Sequence, residues 1–159
     1  MYRYLYLALL FLPLFPGCAD TSRPSDLPPL FPTTISVTQG GVPLAGAHVE
    51  LIPQDSPDHP YRPMVITDEN GNAMMRTYGF PGAPAGKYKI IVRKNIVDDI
   101  VYGTDRHGER TIISSSRYNL VEARYGNVAE TPHEVEVAAS SRGTQVTIDV
   151  GAAIRVKVE

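Results

Sequence analysis

From Thr33 onward the chain alternates apolar and polar residues with a period of two. Ile35 and Val37 alternate with Ser36 and Thr38, and Ala47, Val49 and Leu51 with His48 and Glu50. Met64 and Ile66 form a short third run, and Ala73, Met75 and Thr77 a fourth. Tyr88, Ile90 and Val92 alternate with Lys87, Lys89 and Arg93. Val135 and Val137 follow, then Val146, Ile148 and Val150, then Ile154, Val156 and Val158. Successive side chains on a strand point to opposite faces, so each run predicts one apolar face and one wet face. No segment after Thr33 keeps a helical period over three turns. Seven to eight short antiparallel strands separated by turn signals predict an all-β sandwich.

Asp68-Glu69-Asn70-Gly71 is the strongest turn signal, because Asn and Gly tolerate the positive φ of a tight hairpin. Pro43 and Gly46 shape a crossover, Asp68 is placed to bond amides of its own turn, and Tyr88 needs one partner for its hydroxyl. The least regular stretch is 97–127. It is polar and turn-rich, and it is expected to be an excursion that adds little to the core. Within it, Ile100-Val101-Tyr102 can pair with Thr111-Ile112-Ile113 across Gly103 to Gly108.

The amino-terminal region reads differently. Arg3 precedes an apolar run from Leu5 to Phe15, followed by Gly17 and Cys18, the only cysteine. A charged tip, an apolar run of about a dozen residues and a small residue predict a secretory signal peptide, shorter than the ~20 residues of a spanning helix. Gly17-Cys18 resembles the lipobox of bacterial lipoproteins, although Phe15 and Pro16 depart from its usual residues. That resemblance implies cleavage after residue 17 and a lipid on Cys18. Residues 18–32 then form a proline-rich tether, Arg23-Pro24-Ser25-Asp26-Leu27-Pro28-Pro29-Leu30-Phe31-Pro32, and 33–159 the sandwich. Of the 15 basic residues Arg3 leaves with the leader, so 14 remain against 17 acidic. That balance excludes a polybasic nucleic-acid surface.

Three phrases resemble the carboxypeptidase-regulatory-like, or transthyretin-like, domains of bacterial lipoproteins. They are Gly40-Gly41-Val42-Pro43-Leu44-Ala45-Gly46-Ala47-His48-Val49-Glu50-Leu51-Ile52-Pro53, Thr67-Asp68-Glu69-Asn70-Gly71-Asn72-Ala73 and Pro84-Ala85-Gly86-Lys87-Tyr88-Lys89-Ile90-Ile91-Val92. A tail with Arg124-Tyr125 and Thr131-Pro132 before a final strand pair fits the same pattern. The resemblance spans most of 35–150. It implies an Ig-like (transthyretin-like, prealbumin-like) sandwich, but the phrases are turn chemistry and imply no activity.

The chemistry-bearing residues are scattered. His48, His59, His107 and His133 show no metal-ligand spacing. His48 and Glu50 share a strand face, for which a solvated face is the plainer reading. Asp105, His107 and Glu109 alternate in a loop that can gather around a divalent cation, and Asp68 with Asn70 can offer oxygens to calcium. In each case a plain polar turn explains the residues better. Ser114-Ser115-Ser116 lacks the context of a nucleophile elbow. Related folds include urate-pathway hydrolases, whose Tyr-Arg-Gly-Ser signature is absent where Arg155-Val156-Lys157-Val158-Glu159 stands. They also include intradiol dioxygenases with a two-Tyr, two-His iron site. Tyr102, Tyr118, Tyr125, His107 and His133 have the residue types for that site without its Arg-x-His segment.

The expectation is therefore a non-catalytic, cofactor-free module on the bacterial cell envelope, lipid-anchored at the periplasmic face or outer membrane. It binds protein or glycan or serves envelope structure, through Tyr102, Arg106, His107, Arg110, Tyr118 and Tyr125. The alternative is a metal-dependent hydrolase or oxygenase on the same fold.

Overall fold

A computed structural model describes residues 23–158. The expected leader and the Cys18 lipidation site lie outside the described residues. Ten strands have three or more residues: β1 Thr33–Gln39, β2 His48–Pro53, β3 Met64–Ile66, β4 Asn72–Met74, β5 Gly86–Arg93, β6 Asn95–Thr104, β7 Arg110–Asn119, β8 Glu134–Val137, β9 Thr144–Asp149 and β10 Val156–Val158. The described residues contain no α-helix, only a 3-10 turn at Ala123–Gly126.

β8, β5, β2 and β3 form one antiparallel sheet in that order. In a second sheet β1 pairs with β9 on one side and with β4 and Val42–Pro43 on the other. The expectation of antiparallel pairing throughout fails at one place, because β9 runs parallel to β1, Thr144 opposite Thr33 and Asp149 opposite Thr38. The reason is topological. β8 belongs to the other sheet, so the short Ala138–Gly143 link crosses between sheets rather than folding back as a hairpin.

The alternation meets in one sandwich-like core. Ile35 and Val37 of β1, Val49 and Leu51 of β2, Ala73 of β4, Tyr88, Ile90 and Val92 of β5, Val135 and Val137 of β8 and Ile148 of β9 form a single buried cluster. Fully burying each large side chain stabilises by about 1.5–3 kcal/mol. Tyr88 brings a hydroxyl into this cluster and donates it to the Pro84 carbonyl at 2.8 Å. Burial pushes its pKa up to about 12.

Two expected apolar runs face outward. Met64 and Ile66 are exposed while Val65 packs on the core, because β3 is an edge strand that turns its middle residue inward. Val156 and Val158 are also exposed. They pair with Asn119 and Arg117 in a third sheet, ordered β6–β7–β10.

The proline-rich segment is docked from Arg23, rather than hanging free up to residue 32. Leu27 is buried, and Leu30–Phe31 pairs with Ala83–Pro84. The Tyr61 hydroxyl donates to Asp26 at 2.6 Å, and the Arg23 guanidinium donates to the Pro28 carbonyl at 2.7 Å.

The turn phrases act as crossing points. Asp68 accepts the Asn70 and Asn72 amides at 2.9 and 2.8 Å. The buried Thr67 hydroxyl donates to the Leu44 carbonyl and accepts the Ala47 amide, tying two of the phrases together. Asp149 accepts the Gly41 and Gly151 amides at 2.8 Å and the Thr38 hydroxyl at 2.7 Å. These bonds, the Gly41 amide first, lower its carboxyl from 3.8 to about 2.

Gly71 has φ of +75°, and a Cβ there would lie 2.5 Å from the Val37 carbonyl oxygen. Gly71→Val should therefore destabilise the fold by about 2–4 kcal/mol, from left-handed strain and forced backbone displacement together. Urea unfolding of the variant measures it. A depressed carboxyl contributes stability above its unfolded pKa and loses it as pH falls through the folded value. Asp149 thus adds an acid-labile component between pH 3.8 and about 2. Asp149→Asn should lower the unfolding midpoint at neutral pH and flatten its pH dependence in that window, read by thermal scans.

Candidate interaction site

The 97–127 stretch is more ordered than its composition suggests. β6 and β7, ten residues each, form a hairpin with Val97 opposite Arg117, Tyr102 opposite Ile112 and Gly103 opposite Thr111. It is also less polar in effect than expected. Val97, Ile100, Val101, Tyr102, Ile112 and Ile113 are all exposed, and Ile113 keeps 67% of its surface accessible. They stand on both faces of the ribbon. Tyr102 and Ile112 oppose each other on one face. Ile113 lies across Gly103 on the other, so close that a Cβ at Gly103 would collide with it. Beyond Asn119 the chain returns to the core through the buried Val121 and Tyr125.

Two register shifts interrupt the ribbon, between Asp98 and Val101 and between Val101 and Tyr102. Asp99 sits at the first with φ of 51°, a left-handed conformation that Asp tolerates better than most residues. Polar contacts fasten the base. Arg155 pairs with Asp98 at 2.7 Å and lies 4.3 Å over the Tyr118 ring, whose hydroxyl donates to Asp99. The Asp99 amide, and after it Arg155, hold the Asp98 carboxyl below its ordinary pKa.

At the tip, Asp105 accepts the His107 and Glu109 amides at 2.8 and 2.9 Å. Its carboxylate therefore organises the turn. The Arg110 guanidinium lies 3.9 Å over the Tyr102 ring. Of the six residues singled out for binding, Tyr102, Arg106, His107 and Arg110 gather on the distal half of the ribbon, and Tyr118 sits at its base. Tyr125 is elsewhere: it is buried in the main core, stacked at 5.4 Å on His133. The apolar Val121 and the 3-10 turn draw it inward.

The remaining histidines are held apart by the fold. His133 is 3.0 Å from the Asp149 carbonyl, His48 lies on the outer face of β2, and His107 is at the ribbon tip. Among the described residues no group of three or more His, Cys, Asp or Glu is arranged to hold a metal ion. Asp68 and Asn70 form the hairpin turn already described.

Sequence reasoning placed His48 and Glu50 on a solvated strand face but did not foresee the concavity beside them, at β2 and β5. A depression of about 330 Å³ there is lined by His48, Glu50, Met64, Ile91, Arg93 and Asn95. Glu50 lies between Arg62 at 3.6 Å and Arg93 at 3.7 Å. The floor is Ile91, buried although it points away from the main core. The sequence signal was two consecutive isoleucines, Ile90-Ile91, inside an otherwise alternating strand.

Compared with protein-family models, with curated proteins and with solved structures, the chain finds no match. No helix among the described residues is long and apolar enough to cross a membrane.

None of residues 103–110 joins the core cluster. Asp105→Ala should therefore speed amide exchange at His107 and Glu109 about fivefold, the value of roughly one net hydrogen bond, without moving the global unfolding midpoint. Hydrogen exchange followed by NMR reads both amides.

Proposed function

We propose that this chain is a non-catalytic β-sandwich module of the transthyretin-like type, held at the cell envelope by a lipid on Cys18, and that it binds a protein partner through the β6–β7 ribbon. The observation that carries the reading is the set of exposed apolar side chains on both faces of a projecting hairpin. Large apolar side chains gathered in water on one projecting element mark interaction sites. Recognition also tends to sit on projections from a rigid scaffold.

Charge narrows the partner. Asp98 is paired with Arg155, Asp99 accepts from Tyr118, and Asp105 holds its own turn. Arg106, Arg110 and Arg117 are exposed on the same ribbon and make no ion pair among the described residues. The surface thus suits an apolar segment flanked by carboxylates. The docked proline-rich segment supports the anchoring role, because it gives the chain leading to Cys18 a fixed point of departure. With His48, His107 and His133 on separate elements, no geometric observation favours the metal-dependent alternative.

Cys18→Ser should release the protein from membranes while leaving the fold intact, since each buried methylene of a lipid contributes ~0.8 kcal/mol. Membrane fractionation and thermal unfolding of both proteins check this. A photo-crosslinker at Ile112 should capture a partner in cells, and Ile113→Asp should remove that adduct with no change in the unfolding midpoint. Retention of the adduct would move the interface off the ribbon.

A further inference from the structure

We propose that the depression beside Glu50 is a binding subsite for one neutral, hydroxyl-rich ring, that is, a saccharide unit. The site is independent of the lipid, and of its lining residues Asn95 alone, the first of β6, belongs to the ribbon. It sits on the outer face of the antiparallel sheet, where β2, β3 and β5 lie side by side. His48, Glu50 and Asn95 all line it. Glu50 is only 19% exposed, yet its two arginines stand off at 3.6 and 3.7 Å, beyond hydrogen-bond range. Its carboxylate oxygens thus keep lone pairs that neither arginine takes up. Arg93 is fixed in turn, donating to the Gly126 carbonyl at 2.6 Å, and Arg62 donates to the Pro57 carbonyl at 2.6 Å.

The lining pairs these groups with an apolar surface, Ile91 below and the exposed Met64 at the side. Pockets that recognise small molecules have this make-up, with a few convergent polar groups over apolar walls. Charge selects the ligand class. Arg62 and Arg93 together exceed Glu50 by one positive charge, which disfavours a cation, and an anion drawn to either arginine would lie against the Glu50 carboxylate between them. Vicinal hydroxyls avoid both conflicts, because one donates to Glu50 while its neighbour accepts from Arg93 or Asn95. The C–H face of the same ring then rests on Ile91 and Met64. The alternating ion pairs hold the groups in place before the ligand arrives, which reduces the ordering cost of binding.

The test is saturation-transfer NMR on the full chain in a detergent without a sugar headgroup. The probes are glucose, galactose and N-acetylglucosamine, with glucosamine and glucuronate as charged comparisons. The expected result is transfer to ring protons of at least one neutral sugar, stronger than to either charged one. Glu50→Gln should weaken that binding about tenfold, the value of one hydrogen bond to a charged group. Asn95→Ala should weaken it too and leaves the Arg62–Glu50–Arg93 pairs untouched, so a folding defect in the first variant does not obscure the outcome. Ile113→Asp on the ribbon should leave sugar binding unchanged. Absence of transfer to every neutral sugar, preference for a charged one, or binding indifferent to both Glu50→Gln and Asn95→Ala would overturn the proposal. None of these results bears on the lipid anchor or on the ribbon's protein partner.

Discussion

The structure depends on one shared apolar layer. Strands from two sheets turn alternate residues into a single cluster, with Ile90 and Leu51 facing it from one sheet and Ile35 and Val37 from the other. With one cysteine in the chain there is no internal disulfide to supplement this burial. Removing apolar surface from water is therefore the main favourable contribution, and strand pairing supplies partners to the peptide groups buried with it. The crossing points protect that layer. Gly71 lets its turn pass against the Val37 carbonyl, and Thr67 joins two turns through one hydroxyl.

The third sheet follows different physics. Its strands pair along their length, but among the described residues no second sheet covers either face, so its apolar side chains remain in water. Polar contacts hold the base: Arg155 with Asp98 and Tyr118, and Tyr118 with Asp99. These groups are exposed, and such contacts contribute little stability in water. The ribbon is therefore held mainly by strand pairing, and its distal half, which adds nothing to the core cluster, is expected to open independently of the core. A binding element that orders against its partner needs that combination.

The outer face of the antiparallel sheet is a third environment. Lys89 pairs with Glu134 at 2.5 Å across β5 and β8, and farther along the same face Glu50 sits between Arg62 and Arg93. The second group borders a depression above Ile91, and Glu134 borders a smaller one together with Gln54, Lys87 and Glu136.

Period-two alternation was enough to predict strands at Ile35, Val49, Ile90, Val135 and Ile148, and the Asp-Glu-Asn-Gly turn could be read directly, because both signals are local. Alternation alone does not say which face is inside. Met64, Ile66, Val156 and Val158 share the pattern of the core strands and lie in water, since burial depends on what packs opposite. The parallel β1–β9 pair, the docking of residues 23–32 and the inward turn of Tyr125 are likewise long-range outcomes. The Glu50 depression was invisible in sequence for the same reason. Glu50, Arg62, Arg93 and Asn95 lie on separate elements, and only the pairing register of β2 with β5 brings Glu50 opposite Ile91. The sequence by itself determined the strands and turns, through local sterics and alternation. The tertiary structure decided which apolar residues were left exposed and which charges met, because both depend on contacts between residues far apart in the chain.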